Sequence, residues 1–208
     1  MRAISSGRTG RLLMRQILRH PESGKPEFME LGRRIQIKGS SGSGKSTFAK
    51  RLSEITGIPY YEGDTIYWRA NWTAPTNEEF ADRLDKALSG EEWIFDGNYG
   101  SQSEFFSQRV ETVIILNYSF WLIMKRLLRR SIRDVSSKKM MYGHSQQTFR
   151  AAFTGKMGLI PYTIRTFRRR LRQYDELDAN PGHIQVIRFR HPCEADKFLT
   201  DLQNSVPK

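Results

Sequence analysis

The chain has 208 residues, of which 38% are hydrophobic, and carries a formal net charge of +12 at pH 7. That length suffices for one buried core, and no apolar run approaches the roughly 20 residues of a membrane-spanning helix. A single cysteine, Cys193, excludes an internal disulfide framework and fits a reducing compartment, which points to the cytoplasm. The cationic excess calls for an anionic partner: nucleotide phosphates, nucleic acid or a membrane surface.

Residues 1–32 read as a basic extension outside the core. Arg2, Arg8, Arg11, Arg15 and Arg19 all precede the first acid, Glu22, and Ser5, Ser6 and Thr9 add hydroxyls. Three readings stay open: an organelle transit peptide, a disordered basic arm, or an over-extended start upstream of Met29. Residues 33–208 form a single domain.

Arg34 to Lys38 alternates like a short strand, and Thr47 to Leu52 reads as the first turns of a helix. Between them, Gly39-Ser40-Ser41-Gly42-Ser43-Gly44-Lys45-Ser46 fits the phosphate-binding pattern G-x-x-x-x-G-K-[ST] at each specified position. Glycines there let successive backbone N–H groups turn toward phosphate oxygens, and the helix N-terminus adds partial positive charge. The expectation is a nucleoside triphosphate, ATP with Mg²⁺, held by Gly39, Ser41, Gly42, Ser43, Gly44, Lys45, Ser46 and Thr47. Lys45 would reach the β- and γ-phosphates, and the Ser46 hydroxyl would ligate the metal.

Gly57 ends that helix, and Ile58 to Tyr61 reads as a second strand leading to Asp64. A carboxylate there can orient an acceptor, hold Mg²⁺ through water, or simply cap the next segment. Trp68 and Trp72 are core residues or a wall for a substrate. Thr76 to Leu88 is a helix with 3.6 periodicity, and Trp93-Ile94-Phe95 a buried strand ending in Asp96-Gly97. Asp96 is the candidate second metal-directing carboxylate, and Gly97 would let a substrate approach the backbone. Arg109 follows a short helical segment. Thr112 to Leu116, apolar on both faces, reads as a central parallel strand.

A helix from about Ser119 to Arg133 is expected to bury Trp121, Met124, Leu127, Leu128 and Ile132, with Arg126, Arg129, Arg130 and Arg133 opposite. Arginines without acidic neighbours repel one another unless an anion sits among them. Arg126, Arg130 and Arg133 are therefore read as stabilisers of a transferring phosphoryl group. Arg165, Arg168, Arg169 and Arg172 repeat the arrangement on a later helix and would serve nucleic acid equally well. Residues 134–158, polar and basic, read as a lid. His183 to Phe189 is the last strand, and a closing helix starts at Pro192. Alternating strand and helix signals predict an α/β fold: a parallel sheet with helices on both faces.

The segment Gly39 to Thr47, then Asp64 to Trp68, Trp72, Glu79-Phe80, Trp93 to Gly100, Arg109 and the arginine helix together resemble the small P-loop proteins called adenylate-kinase-like or DNA-topology-modulation proteins. The likeness runs from about Arg33 to Leu202. It implies a nucleoside-monophosphate-kinase-like P-loop NTPase fold with a five-stranded parallel sheet, ATP and Mg²⁺ as ligands, and transfer of the γ-phosphoryl group. The acceptor would lie against Asp64, Trp68, Asp96, Gly97 and Arg109. Adenylate kinases place an arginine soon after the Asp-Gly pair, where this chain has Tyr99-Gly100-Ser101-Gln102, so Arg109 or Arg69 would have to hold an acceptor anion. A nucleic-acid-associated ATP-binding regulator is the rival reading.

Overall fold

The structure, a computed structural model, describes residues 15–19, 26–69, 73–136, 140–141, 145–146 and 158–205. Trp72, the first part of the basic extension and most of the expected lid lie outside the described residues. In chain order, β1 (Arg15–Arg19) and β2 (Pro26–Glu30) pair antiparallel as a hairpin with its own two-stranded sheet. Next come β3 (Arg34–Gly39), α1 (Lys45–Thr56), β4 (Tyr60–Glu62), α2 (Gly63–Tyr67) and α3 (Asn77–Ala87). They are followed by β5 (Trp93–Asp96), a 3₁₀ turn at Gly100–Gln102, α4 (Ser103–Arg109), β6 (Thr112–Leu116) and α5 (Phe120–Ser136). Within the expected lid, β7 (Met140–Met141) and β8 (Ser145–Gln146) make a short antiparallel pair. The chain closes with α6 (Leu159–Ala179), β9 (Gln185–Phe189) and α7 (Pro192–Ser205).

The main sheet is parallel throughout, in the order β4-β5-β3-β6-β9. Every residue of β5 and β6 is buried, which is what helices on both faces of a sheet demand of its inner strands. Side-chain alternation sorts the core into two layers. Ile35, Ile37, Ile114 and Phe189 pack under α1 and α7 with Phe48, Leu52, Phe198 and Leu199. Trp93, Phe95, Val113 and Ile115 pack on the other face with Phe80, Leu84, Phe106 and Tyr174, from α3, α4 and α6.

Helix ends are set by local chemistry. Gly44 and Gly57 flank α1 in left-handed conformations, at φ 96° and 73°. Thr76 and Glu79 form a reciprocal capping box at the start of α3, the Glu79 N–H donating to the Thr76 hydroxyl at 3.2 Å and the Thr76 N–H to the Glu79 carboxylate at 2.9 Å.

One expectation fails on α5. Trp121, Leu128 and Ile132 do not join the core: Trp121 is 80% exposed, Ile132 58% and Leu128 38%. Met124 and Leu127 are buried as expected, and Ile123 and Ser131 complete the buried stripe. Apolar residues occupy two adjoining sectors of this helix, and the sheet and α6 cover only one. Arg126, Arg129 and Arg133 are exposed and Arg130 is half-buried; Arg126 and Arg130 lie on the side away from the exposed apolar stripe, and Arg129 borders it.

Replacing a fully buried sheet residue tests this packing. Ile114→Ala is expected to lower unfolding stability by about 2–5 kcal/mol in denaturant titration. Breaking the exposed pair between Arg51 of α1 and Asp196 of α7, 2.7 Å apart, should cost under about 1 kcal/mol.

Candidate active site

The chemistry gathers beyond the carboxyl end of β3, where strand order reverses between its neighbours β5 and β6. That is where open α/β sheets form crevices. The glycine-rich loop turns back on itself: the Ser43 N–H donates to the Ser40 carbonyl at 3.0 Å, and Lys45 Nζ folds toward the same oxygen at 3.4 Å. Gly42 sits at φ 86°, and a Cβ there would lie 3.0 Å from the Ile123 carbonyl oxygen, so α5 presses directly on the loop.

Asp96 ends β5 at 4% exposure and joins two elements. Its Oδ2 accepts from the Ser46 hydroxyl at 2.6 Å, and its Oδ1 from the Gly63 N–H at 2.9 Å. A hydroxyl and a carboxylate so placed are hard oxygen donors of the type Mg²⁺ takes. Among the described residues no group of three or more His, Cys, Asp and Glu side chains could hold a metal ion, so the remaining ligands would be phosphate oxygens and water. Tyr60 stands beside this pair, and burial, with the nearby Asp96 charge, pushes its hydroxyl above the usual tyrosine range.

Positive charge converges on the loop from three directions. Burial drives the Lys45 ammonium below its ordinary value of 10.5; Asp96 and Asp64 oppose the shift, while Arg170 and Arg130 reinforce it. Arg126 donates to the Ser43 carbonyl at 3.3 Å, with its guanidinium 5.7 Å from the Tyr118 ring centre. Arg170 of α6 is 7% exposed, and its Nη1 is buried with no hydrogen-bond partner. Its other nitrogen stands 3.5 Å from the Tyr162 hydroxyl, and its guanidinium lies over that ring at 5.4 Å. The buried Ser43 hydroxyl also has no partner. Unsatisfied donors and crowded cations are costly without an anion to receive them. Arg133 lies exposed further along α5.

On the other side of Asp96, Asp64 is exposed in the first turn of α2, and its Oδ1 accepts from the Tyr99 hydroxyl at 2.7 Å. Tyr67 packs edge-on to Trp68 at 4.9 Å and against Tyr99 at 5.2 Å, making an aromatic wall. A Cβ on Gly97 would overlap the Tyr99 ring, so Gly97 is required by close packing of the wall. Arg109 is not drawn into this group. It pairs with Asp85 at 2.7 Å and lies 4.4 Å over the Phe105 ring, tied to α3 and α4. Arg69, the other candidate, pairs with Glu79 at 2.7 Å.

Sequence reasoning misses two residues here. Arg170 stands in a run of arginines whose exposed members drew attention, and only its place on the buried stripe of α6, with Thr163, Thr166 and Tyr174, gives it away. Asn98 clamps the first loop residue: its Nδ2 donates to the Gly39 carbonyl at 2.6 Å and its Oδ1 accepts from the Gly39 N–H at 3.1 Å. The buried Tyr174 hydroxyl donates to the same Oδ1 at 3.2 Å, so α6 and the loop share one amide. The signal was an amide directly after a strand-ending Asp-Gly.

Beside the loop lies a cavity of about 320 Å³, lined by Gly42 to Gly44, Thr47, Phe48 and Arg51, Leu116, Tyr118 and Arg126, and Pro192, Ala195, Asp196 and Leu199. It offers the Tyr118 ring, the Arg126 guanidinium, aliphatic surface and the ion pair of Arg51 with Asp196 beside the phosphate loop.

The sequence matches no protein-family model and no curated protein. Solved structures do match. Shikimate kinase from Bacteroides thetaiotaomicron is 16% identical over 82% of this chain and 96% of its own, with a TM-score of 0.51. Shikimate kinase from Acinetobacter baumannii, solved in complex with shikimate, is 17% identical over 85% and 96%, also at 0.51. The chain has a P-loop kinase fold. At this identity the likeness carries the architecture, and the chemistry must come from the residues.

Removing the clamp should loosen the loop. Asn98→Ala is expected to lower stability by about 1–3 kcal/mol and to reduce the thermal shift produced by Mg-ATP, whereas Tyr174→Phe should give a smaller change of the same sign. Lys45 gives a proton-linked test. Its folded value is depressed, so between that value and 10.5 the free protein holds fewer protons than an ordinary lysine would. A polyphosphate beside it restores the charge, so nucleotide binding in that window should take up protons. Calorimetry in two buffers of different ionisation enthalpy reads the uptake, and Lys45→Met should abolish it.

Proposed function

We propose that this chain is an ATP-dependent kinase that transfers the γ-phosphoryl group of ATP to a small-molecule acceptor. The observation that carries the reading is the convergence of Lys45, Arg130 and the buried Arg170, whose Nη1 has no hydrogen-bond partner, on a loop whose serine is bonded to Asp96. The resemblance to adenylate-kinase-like and DNA-topology-modulation proteins supports the same chemistry, as does the fold shared with shikimate kinases.

In this reading the loop amides of Gly39 to Thr47 bind the triphosphate, and the 320 Å³ cavity beside Tyr118 and Arg126 takes the nucleoside. Ser46 and Asp96 would hold Mg²⁺, which neutralises charge on the β- and γ-phosphates. Lys45, Arg126, Arg130 and Arg170 stabilise the charge that spreads over the equatorial oxygens as the bond to ADP breaks. Arg133 would join them only through the lid end of α5.

Asp64 orients the acceptor hydroxyl and takes its proton as the new oxygen–phosphorus bond forms. Tyr99 fixes the rotamer of Asp64, and Trp68 with Tyr67 provides an apolar wall. Arg109 is tied to Asp85, so Arg69, next to Trp68 in the chain and paired with Glu79, is the other cation that could serve an anionic acceptor.

The test is a screen of Mg-ATP against nucleoside monophosphates, nucleosides and hydroxylated carboxylic acids, scored by ADP release and by the phosphorylated product. Lys45→Ala should abolish turnover. Asp64→Asn should lower transfer by about 100-fold or more while sparing the Mg-ATP thermal shift. Arg170→Ala should lower kcat by about 100- to 1,000-fold, with partial recovery in Arg170→Lys. ATP hydrolysis stimulated by nucleic acid, with no acceptor phosphorylated, would instead support the regulator reading.

A further inference from the structure

Four large apolar side chains stand exposed among the described residues: Trp121 at 80%, Ile132 at 58%, Ile164 at 52% and Leu128 at 38%. All four belong to α5 and α6, helices that pack together through the edge-to-face pair of Phe120 and Phe167, 5.2 Å between ring centres. Trp121, Leu128 and Ile132 recur at spacings of seven and four, which places them in one line along α5. That line stands roughly 160° around the helix from Arg126 and Arg130, the two arginines that face the phosphate loop. The exposed stripe is therefore separate from the candidate active site and does no work in it.

Charge around the stripe is of one sign. Lys125 and Arg129 adjoin it on α5, and Arg168 follows Ile164 by one turn on α6; all three are exposed. Ten lysines and arginines lie on α5 and α6, and their acids are confined to the C-terminal ends, Asp134 on α5 and Asp175, Glu176 and Asp178 on α6. Lys125, Arg129 and Arg168 have no aspartate or glutamate three or four residues away on their own helix, so no i,i±4 ion pair neutralises them there, and a surface with that charge favours an anionic partner.

We propose that the outward faces of α5 and α6 form a docking surface for an anionic lipid membrane, with Trp121, Leu128, Ile132 and Ile164 entering the headgroup–acyl boundary and Lys125, Arg129 and Arg168 meeting lipid phosphates. The composition fits that occupant in each part. Tryptophan favours the membrane interface, aliphatic side chains gain from acyl contact, and each nearby cation adds about fivefold to the partition onto an anionic surface. A second copy of the chain would bring these cations against their own kind. Single-stranded nucleic acid would need stacking platforms, and only Trp121 of the four can stack a base. The proposal stands whether or not the kinase reading holds.

The experiment uses the full chain with vesicles of phosphatidylcholine alone or with phosphatidylglycerol added. Basic residues elsewhere can hold the protein to an anionic vesicle from outside, so the deciding readout is insertion. Brominated acyl chains should quench the tryptophan fluorescence of the wild-type protein, and Trp121→Phe should lose that quenching while Trp68, Trp72 and Trp93 remain. The pair Ile132→Ser and Ile164→Ser should lower vesicle partition by about tenfold at unchanged charge, with the melting temperature confirming a folded protein. Equal partition onto neutral and anionic vesicles would overturn the proposal, as would bromolipid quenching that survives Trp121→Phe. It would also be overturned by quenching that appears with an oligonucleotide but not with vesicles, or by a dimer in light scattering that dissociates in Trp121→Phe.

Discussion

Uncompensated positive charge around one loop is the constraint on which this structure depends. Lys45, Arg130 and Arg170 lie close enough for the two guanidinium groups to make the lysine harder to protonate, with Asp96 and Asp64 as the countercharges. Arg170 keeps a buried nitrogen without a partner. Such an arrangement destabilises the free protein, and the parallel sheet, with its doubly packed inner strands, is what holds it in place. In the proposed function a polyphosphate would remove the repulsion and supply the missing hydrogen bonds together.

The scaffold sets the geometry from three sides. The register of β3 and β5 brings Asp96 opposite Ile37, so the carboxylate reaches Ser46 at the start of α1. Helix α5 crosses the loop closely enough that a Cβ on Gly42, already at φ 86°, would stand 3.0 Å from the Ile123 carbonyl oxygen. Helix α6 delivers Arg170 and, through Tyr174 and Asn98, ties itself to Gly39. Any shift of α6 is therefore felt at the first residue of the phosphate loop.

Much of this was legible in the sequence, for physical reasons. The glycine–lysine–serine loop, the buried Thr112 to Leu116 strand and the Asp-Gly ending of Trp93 to Phe95 each admit few conformations, and a parallel sheet covered on both faces follows from their order, while the count of five strands is what the family resemblance implied. What was not legible depends on rotation about helix axes. Trp121, Leu128 and Ile132 look like core because apolar periodicity gives a direction and not the neighbour that covers it. Arg170 was hidden for the converse reason, as a buried cation among exposed ones. The tie of Arg109 to Asp85 needed the packing of α3 against α4, which no local pattern encodes.

The most direct measurement is the melting temperature of the wild-type chain and of Arg170→Ala across a series of magnesium–nucleotide concentrations. If a buried cluster of cations is waiting for a polyphosphate, the wild-type midpoint rises in the order monophosphate, diphosphate, triphosphate. Arg170→Ala then melts no lower than wild type without nucleotide and gains less with it. An absent shift, or one equal for all three nucleotides and for both proteins, would contradict the account.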